Sequence, residues 1–423
     1  MSRGSASEAP AARAGALRDW TSLTAWALLI FATVPFARAL EALVVATLGA
    51  RAFLVAVLAS VALAAALAWR AFAPLGPRAC ATLALGAAIY AATAWRLRGN
   101  AVEAVHVVEY GVLGALALRA LAHGGRDALL APAAALLASS VGAVDELIQW
   151  LVPARVGDLR DIAVNALAAS GGPALLALGV RPDWARARPS ARSQRRALAL
   201  LALAWGLLGA ACLNTSARVA WIARNVPGLG ALDSQEAGIV DYGVLHELPG
   251  VGAFASRLSA AQWEAADRAR AATAGAALAP NVRSSAAAPE GGADPYDAFL
   301  VEPSPVRDAF LHELRVHVFR RDRYVETAEA HRDDPAWRAR DLTVAVRENA
   351  FLERFAPRTL RAAELRWSDA QRTERTAVDL GTPYASRVAE AVVTRVSERA
   401  VALGWAAGLA AIALAALRLR ASA

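Results

Sequence analysis

The chain has 423 residues, of which 57% are hydrophobic, and its mean hydropathy of +0.36 is high for a soluble globular protein. The formal charge of +8 could suit a nucleic-acid-binding protein, but residues 214–399 carry 24 Arg against 26 acidic residues. The excess of positive charge therefore lies among the apolar segments, where Arg-rich loops orient membrane spans. Composition and charge argue against a nucleic-acid partner and favour an integral membrane protein.

In chain order, residues 1–20 are small, polar and Arg-bearing, which predicts a disordered cytoplasmic tail. Apolar runs follow, and each approaches the roughly 20 residues that a helix needs to cross a bilayer. We therefore predict an all-α polytopic membrane protein with about eight spans, the first six forming a bundle over residues 21–180. The runs are 21–36, 52–69, 79–95, 101–122, 128–152, 161–180, 198–213 and 400–418.

The orientation follows from one basic loop. Residues 181–197 contain six Arg and one Asp, the strongest cytoplasmic signal in the chain. With this loop inside, alternation places 15 Arg in inside segments and six in short outside loops. We predict a protein of the bacterial cytoplasmic (inner) membrane with both termini cytoplasmic and residues 214–399 extracytoplasmic.

The predicted extracytoplasmic region, residues 214–399, has the signals of a helical domain of unknown family. Three helix starts are indicated by Ser259 with Gln262, Ser368 with Gln371, and Asp334-Pro335. One helix face is indicated by Phe310, Leu314, Val318, Arg321 and Val325. Residues 271–304 predict a linker, and a helix from about Ser386 is expected to run into the last span. We predict no hairpin.

Histidines in this region invite a metal interpretation that their spacing does not support. The metalloprotease motif places two His four residues apart on a helix, whereas His312 and His317 are five apart. We expect them on the polar surface of an amphipathic helix, followed by a solvated Arg run at 320–323. The pair His246-Glu247 lies among glycines and predicts an irregular loop.

Three of the apolar runs carry polar side chains that are costly at membrane depth and therefore need a reason. Residues three and four apart share a helix face, so they form stripes. The predicted topology places all the stripes at the outer end of the membrane. The candidate residues are Glu103, His106, Glu109 and Tyr110 on the fourth span, Asp145, Glu146 and Gln149 on the fifth, Arg155 in the connection, and Asp158, Asp161 and Asn165 at the start of the sixth.

These stripes allow more than one interpretation. In the first, they bond the spans to each other, with Arg155 or Arg160 neutralising a carboxylate. In the second, they form a site for a polar head group, a phosphate or an ion. A metal held by His106 with carboxylates is a third, but a single His is thin evidence, and we expect neither a metal nor a cofactor.

The same residues resemble a known family. His106 and Tyr110, then Asp145-Glu146 with Gln149, Pro153 with Arg155, Asp161 with Asn165, and Gly171-Gly172 together resemble the motifs of the VanZ-like membrane protein family. The resemblance covers about residues 20–180. Members often carry Lys three residues before the His, where this chain has Glu103. The family is associated with teicoplanin resistance and the cell envelope, so the resemblance implies an envelope protein without implying a reaction.

Two functions are therefore expected. The first is a non-enzymatic factor that binds a lipid-linked or glycopeptide-like ligand at the outer polar cavity, with the bilayer and an envelope precursor or protein as partners. The second is a membrane enzyme acting on a lipid phosphate or similar anion. His106 or Glu146 would then be the general base, and Arg155 would hold the anion.

Overall fold

The computed structural model describes residues 8–72, 76–96, 101–152, 155, 157–284, 303–375 and 383–421, without some side chains in these ranges, among them that of Glu103. The fold is mostly helical. Its contacts divide the chain into two units, Met1–Cys212 with Ala402–Ala423 (the membrane unit) and Leu213–Val401 (the second unit). The two are described separately.

The described helices follow one another with short connections. They are α1 (Glu8–Thr33), α2 (Ala37–Leu48), α3 (Ala50–Phe72), α4 (Pro77–Arg96), α5 (Ala101–Ala122), α6 (Leu130–Leu151), α7 (Leu159–Leu175), α8 (Ala191–Cys212), α9 (Ser216–Asn225), α10 (Ala260–Ser284), α11 (Pro305–Ala330), α12 (Pro335–Phe355), α13 (Pro357–Ala362), α14 (Asp369–Glu374) and α15 (Glu398–Ala421). Strands β1 (Val244–Leu248) and β2 (Gly252–Ser256) precede α10. A π-helical turn, Leu176–Val180, extends α7.

Five helices within the described residues are long and apolar enough to cross a membrane. They contain the segments Val105–Ala122, Leu130–Leu151, Leu159–Val180, Ala191–Cys212 and Glu398–Ala421. The apolar part of α3, Leu54–Leu67, is shorter. The membrane class is therefore supported, while the total of eight spans stays a prediction.

The centre of the membrane unit is formed by α5, α6 and α7, with α1 and α8 packed on its outside. Its buried side chains are mainly alanines, with Tyr110 and Leu113 among the larger ones. Small residues let helix backbones approach closely, as they do in membrane bundles. At Gly114 a Cβ atom would overlap the carbonyl oxygen of Ala169, so α5 and α7 touch backbone to backbone there.

The prediction of a disordered tail over residues 1–20 is wrong from Glu8 onward, because α1 begins there. Asp19 is buried and accepts a hydrogen bond from Arg119 Nη2 at 2.7 Å, and His123 Nε2 lies 2.9 Å from its other oxygen. These partners, together with Arg18, hold the pKa of the Asp19 carboxyl below its usual value. The small polar residues of this segment are part of the packed bundle.

Helix α8 begins at Ala191, inside the segment predicted as a loop at 181–197. The chain before it is fixed by Asp127, which accepts hydrogen bonds from the backbone N–H groups of Leu129 and Ser190. These bonds lower the pKa of Asp127, although its burial acts in the opposite direction. The basic segment is thereby tied to the α5–α6 connection.

Helices α8 and α15 are joined by a reciprocal pair of hydrogen bonds, the Trp205–Trp405 clasp. Each indole Nε1–H donates to the backbone carbonyl of the other Trp, at 2.9 and 3.0 Å. Each indole lies against a glycine of the opposite helix, Gly408 and Gly209, where a Cβ atom would collide with it. The clasp therefore depends on glycine at both positions.

The second unit contains a hairpin that the sequence did not predict. Strands β1 and β2 pair antiparallel from Val244–Ser256 to Leu248–Gly252, so the irregular-loop prediction around His246 is wrong. The three-residue turn needs a residue with φ +73°, which Gly250 supplies. The glycines that suggested a loop are in fact the turn residues of the hairpin.

The helix starts predicted for the second unit are confirmed. Ser368 and Gln371 form a capping box, and Ser259 bonds reciprocally with Gln262. Asp334 caps α12 with Pro335 in the first turn. The five residues predicted to share a face are buried on α11.

Two boundaries in this unit are wrong. Helix α10 continues to Ser284, inside the predicted linker at 271–304, of which residues 285–302 lie outside the described residues. No helix runs from Ser386, because α15 begins at Glu398. The backbone of the intervening segment bonds to the hairpin region instead, from Ser386 N to Ala253 O and from Val393 N to Asp241 O.

The His312–Arg323 stretch is not the polar surface that its pattern suggested. Glu313 and His317 are fully buried, and Arg321 is 2% exposed. His317 Nδ1 lies 2.6 Å from Glu348 Oε2, while His312 Nδ1 bonds to the carbonyl of Pro303. Burial, with the nearby Arg257, lowers the pKa of His312 to about 4. The buried polar groups pair across α11 and α12, so amphipathic spacing alone gave the wrong burial.

Candidate functional site

The polar stripes of α5 and α6 meet at Asp145. Tyr110 Oη donates a hydrogen bond to Asp145 Oδ2 at 2.7 Å, and Gln149 Nε2 donates to the same oxygen at 2.9 Å. All three side chains are buried. The predicted meeting of the fourth and fifth spans is therefore present as direct hydrogen bonds.

Glu146 belongs to a second group that joins α6 to the start of α7. It is fully buried and accepts hydrogen bonds from Gln149 Nε2 at 3.1 Å and from Asn165 Nδ2 at 3.2 Å. Its second oxygen faces the backbone N–H of Asp158 at 3.4 Å. Because all these partners are protein groups, Glu146 holds helices together.

A cavity of about 110 Å³ lies between the α1–α2 junction, α5 and α6. Helix α1 reaches α5 through the indole of Trp26, which donates to the backbone carbonyl of Glu109 at 3.0 Å. One wall is apolar and the other polar. The lining residues are Ile30, Thr33, Val34, Ala37, Leu40, Val105, His106, Glu109, Asp145, Gln149 and Arg155.

Two polar atoms of the lining residues lack a hydrogen-bond partner within the described part of the chain. They are Asp145 Oδ1 and Arg155 Nε. Arg155 is held in place because its Nη2 donates to Gln149 Oε1 at 2.5 Å. An unmade bond to a buried polar group costs about 1–3 kcal/mol, so one acceptor and one donor in this cavity call for a partner.

His106 lies at the edge of the same cavity. Its ring meets that of Tyr110 edge-on, with centroids 6.0 Å apart. The cavity thus brings together an imidazole, two carboxylates and a guanidinium, within a volume that would hold about three or four water molecules at ~30 Å³ each. A small polar group of a larger ligand would fit.

The remaining predicted residues do not line the cavity. The side chain of Glu103 lies outside the described residues. Asp158 caps α7 by accepting a bond from the backbone N–H of Arg160 at 2.9 Å, and Asp161 lies in the first turn of α7. A carboxylate at either position is stabilised by the N-terminal end of the helix, which explains both residues without a ligand.

Metal binding finds no support in the described ranges. They contain no group of three or more His, Cys, Asp or Glu side chains that could hold an ion.

Sequence reasoning missed the apolar wall. Thr33, Val34 and Leu40 carry no polar signal, and their place depends on a turn at Val34–Phe36, where Pro35 interrupts the helical run. That proline was the available signal, since it separates α1 from α2 and lets α2 turn back over the cavity.

Comparison with known proteins identified no relative. No protein-family model matches the chain, and no curated protein or solved structure matches it significantly.

Proposed function

We propose that this chain is a VanZ-like integral membrane protein of the bacterial cell envelope that binds the polar part of a lipid-linked or glycopeptide-like ligand without transforming it. The observation that carries the proposal is the cavity beside Asp145, which holds an unpaired acceptor on that residue and an unpaired donor on Arg155. Packing alone gives no reason to leave both atoms unbonded.

The charges of the lining favour a particular ligand chemistry. Glu109 and Asp145 contribute two carboxyl groups, against one guanidinium from Arg155. A phosphate would meet both carboxyl groups, whereas hydroxyl, amide or ammonium groups can donate to Asp145 and still accept from Arg155. The polar part of the ligand is therefore a neutral or cationic group that offers both donors and acceptors.

The orientation belongs to this proposal. With the basic residues at 181–197 in the cytoplasm, both termini are cytoplasmic, residues 214–399 are extracytoplasmic, and the stripes lie at the outer end of eight spans. The connection between α5 and α6, which Asp127 ties to Ser190, lies on the cytoplasmic side in this arrangement. Envelope ligands then reach the cavity from outside.

An enzyme is the second candidate because His106, Asp145 and Arg155 line one cavity. His106 would act as the general base, and Arg155 would hold the developing anion. Glu146, the other candidate base, is occupied by Asn165 and Gln149 and lies away from the lining. Turnover of the ligand by the wild type, lost in His106→Ala while binding is kept, would favour the enzyme over the binding factor.

The proposal is tested by mass spectrometry of lipids and glycopeptides that copurify with the full-length protein from envelope extracts. Arg155→Gln and Asp145→Asn should each lose the ligand with the protein yield unchanged. Asp158→Asn is the matched control, because it removes a nearby charge while Asn keeps the helix cap. An identical set of copurifying molecules in all four proteins contradicts binding at this cavity. Equal loss of protein in both cavity variants would establish a packing role.

A further inference from the structure

A second and larger cavity lies on another side of α5. It is a groove of about 510 Å³ between α4, α5 and α7, here called the α4–α7 groove. Its floor is shaped by small residues, since a Cβ atom on Gly171 would come within 2.5 Å of Tyr90 Oη. The lining residues are Thr82, Gly86, Ile89, Tyr90, Thr93, Val107, Val164, Leu167, Ala168, Gly171, Ala174, Leu175, Leu178 and Gly179.

The hydroxyl groups in this lining already have acceptors. Tyr90 Oη donates to the carbonyl of Ala168 at 2.5 Å. Thr82 and Thr93 each donate at 2.9 Å to the carbonyl four residues earlier on α4. The other lining side chains are apolar or absent. The groove therefore offers no free side-chain donor to a polar ligand, and its affinity must come from apolar contact.

The groove opens sideways within the segment Leu159–Val180, which is long and apolar enough to span a membrane. Its rim residues Leu167 and Leu178 are 75% and 69% exposed. They are eleven residues apart, so the rim extends roughly 16 Å along the helix axis at ~1.5 Å per residue. At that depth the surrounding medium is hydrocarbon, which makes a lipid chain the occupant that the groove meets first.

The groove and the polar cavity border consecutive residues of α5. Val107 lines the groove, and His106 lines the polar cavity. Both residues lie only about one and a half turns from the start of α5 at Ala101, roughly 8–9 Å along the axis. A single flexible molecule that passes over this end of the helix can therefore occupy both.

We propose that the α4–α7 groove binds one long hydrocarbon chain of the molecule whose polar part enters the cavity beside Asp145, so that the ligand is an amphiphile. This inference rests on the proposed function and narrows it to a lipid-bearing ligand. A chain held in an apolar groove gains about 0.8 kcal/mol for each CH₂ group it buries relative to water. Gain relative to bilayer lipid comes from shape and from attachment to a bound polar group.

The test uses full-length protein in phosphatidylcholine nanodiscs and a dodecyl glucoside with a photoreactive diazirine at the chain end. Its hydroxyls supply the donors and acceptors that the polar cavity requires. Cross-linked peptides are mapped by mass spectrometry. Labelling should concentrate on α4 and α7 at the groove. Ala174→Phe and Val164→Phe, which fill it, should each reduce that labelling about tenfold, since ~1.4 kcal/mol corresponds to a factor of ten.

The control is Ala163→Phe, on the exposed surface of α7 outside the lining, which should label as the wild type does. Asp145→Asn should reduce groove labelling too, because it weakens the attachment of the polar part. Labelling spread over all lipid-facing positions, or unchanged in both filling variants, overturns the groove as a chain site. Binding of radiolabelled methyl glucoside, which has no chain, then tests the polar cavity separately.

A third outcome separates the two proposals. If the filling variants abolish groove labelling while Asp145→Asn leaves it intact, the groove binds a lipid chain that has no link to the polar cavity. That result overturns the shared ligand. A second copy of this chain as the occupant would appear as cross-linked dimers in place of probe adducts, and would also overturn it.

Discussion

Single side chains in this protein are placed by partners far away in sequence. Glu348 is fully buried in the second unit and is contacted by His317, Arg320, Tyr384 and Ser386. Its burial opposes ionisation, but a protonated His317 and the hydrogen bonds it receives outweigh burial and hold its pKa below the usual value. The same charge, with burial, raises the pKa of the Tyr384 hydroxyl.

This network predicts a pH dependence. Because the folded pKa of Glu348 lies below its ordinary value of 4.5, its contribution is complete above that pH and is lost as the pH falls further. Glu348→Gln should lower the free energy of unfolding at pH 7 by about 3–5 kcal/mol, as for a broken buried ion pair. Hydrogen exchange of α11 and α12 in the full-length protein measures it. Unchanged protection would contradict the network, and exposed Glu364→Gln is the control.

Glu146 gives a second prediction at this scale. Glu146→Ala leaves the Asn165 amide and the Asp158 N–H without their acceptor, and each buried group left unbonded costs about 1–3 kcal/mol. The thermal midpoint of the detergent-solubilised protein should fall, with less protein in the membrane. Asp158→Asn keeps the cap and should not change it. An Ala variant as stable as the wild type would mean that Glu146 does not hold α6 to α7.

Helical spacing was enough to predict that the stripes face each other, because residues three and four apart share a face. It was not enough to separate the groups around Asp145 and Glu146, which are adjacent in sequence and bond to different helices. The direction each side chain takes depends on Tyr110 and Asn165, and therefore on how α5 and α7 pack.

At the scale of helices, the Trp205–Trp405 clasp depends on glycine. Gly209→Val and Gly408→Val should each lower the thermal midpoint, because a side chain there collides with the opposing indole. Gly206→Val and Gly404→Val are matched controls on the same two helices, since nothing lies within 4 Å of a Cβ atom at either position. Circular dichroism of the solubilised protein measures the difference. Equal midpoints in all four variants would contradict a stabilising clasp.

Helices were predictable where their signals are local. Capping residues at Ser368 and Asp334 marked true starts, because a cap satisfies the N–H groups of its own first turn. The hairpin and the segment after Ser386 were not, because β2 takes its partners from residues more than a hundred positions later. Long-range pairing leaves no periodic trace in a short stretch.

At the scale of the whole chain, the proposed orientation can be measured in intact cells. In a Cys80→Ser, Cys212→Ser background, Ser234→Cys should react with a membrane-impermeant maleimide, because residues 214–399 lie outside in this orientation. Arg186→Cys should react only after the membrane is opened. Both positions are exposed, so access through the membrane decides the result. The reverse pattern would invert the protein and place the stripes at the cytoplasmic end.

Composition predicted a helical membrane protein because hydropathy is additive along the chain. It did not reliably count the spans, since α1, α3 and α4 are rich in alanine and weakly apolar, and five of the described helices meet the requirements of a span. Whether such a helix crosses the bilayer depends on its neighbours as well as on its own residues.

The Trp205–Trp405 clasp has a consequence for how the chain is made. Its two halves are separated by 200 residues, so α8 leaves the ribosome long before its partner exists. At about 5–20 residues per second, the wait is roughly 10–40 s. During that interval the indole of Trp205 and the bare backbone at Gly209 are available to other small-residue helices in the membrane. Arrival of the last helix ends that exposure, which makes the carboxyl-terminal segment a check that synthesis has finished.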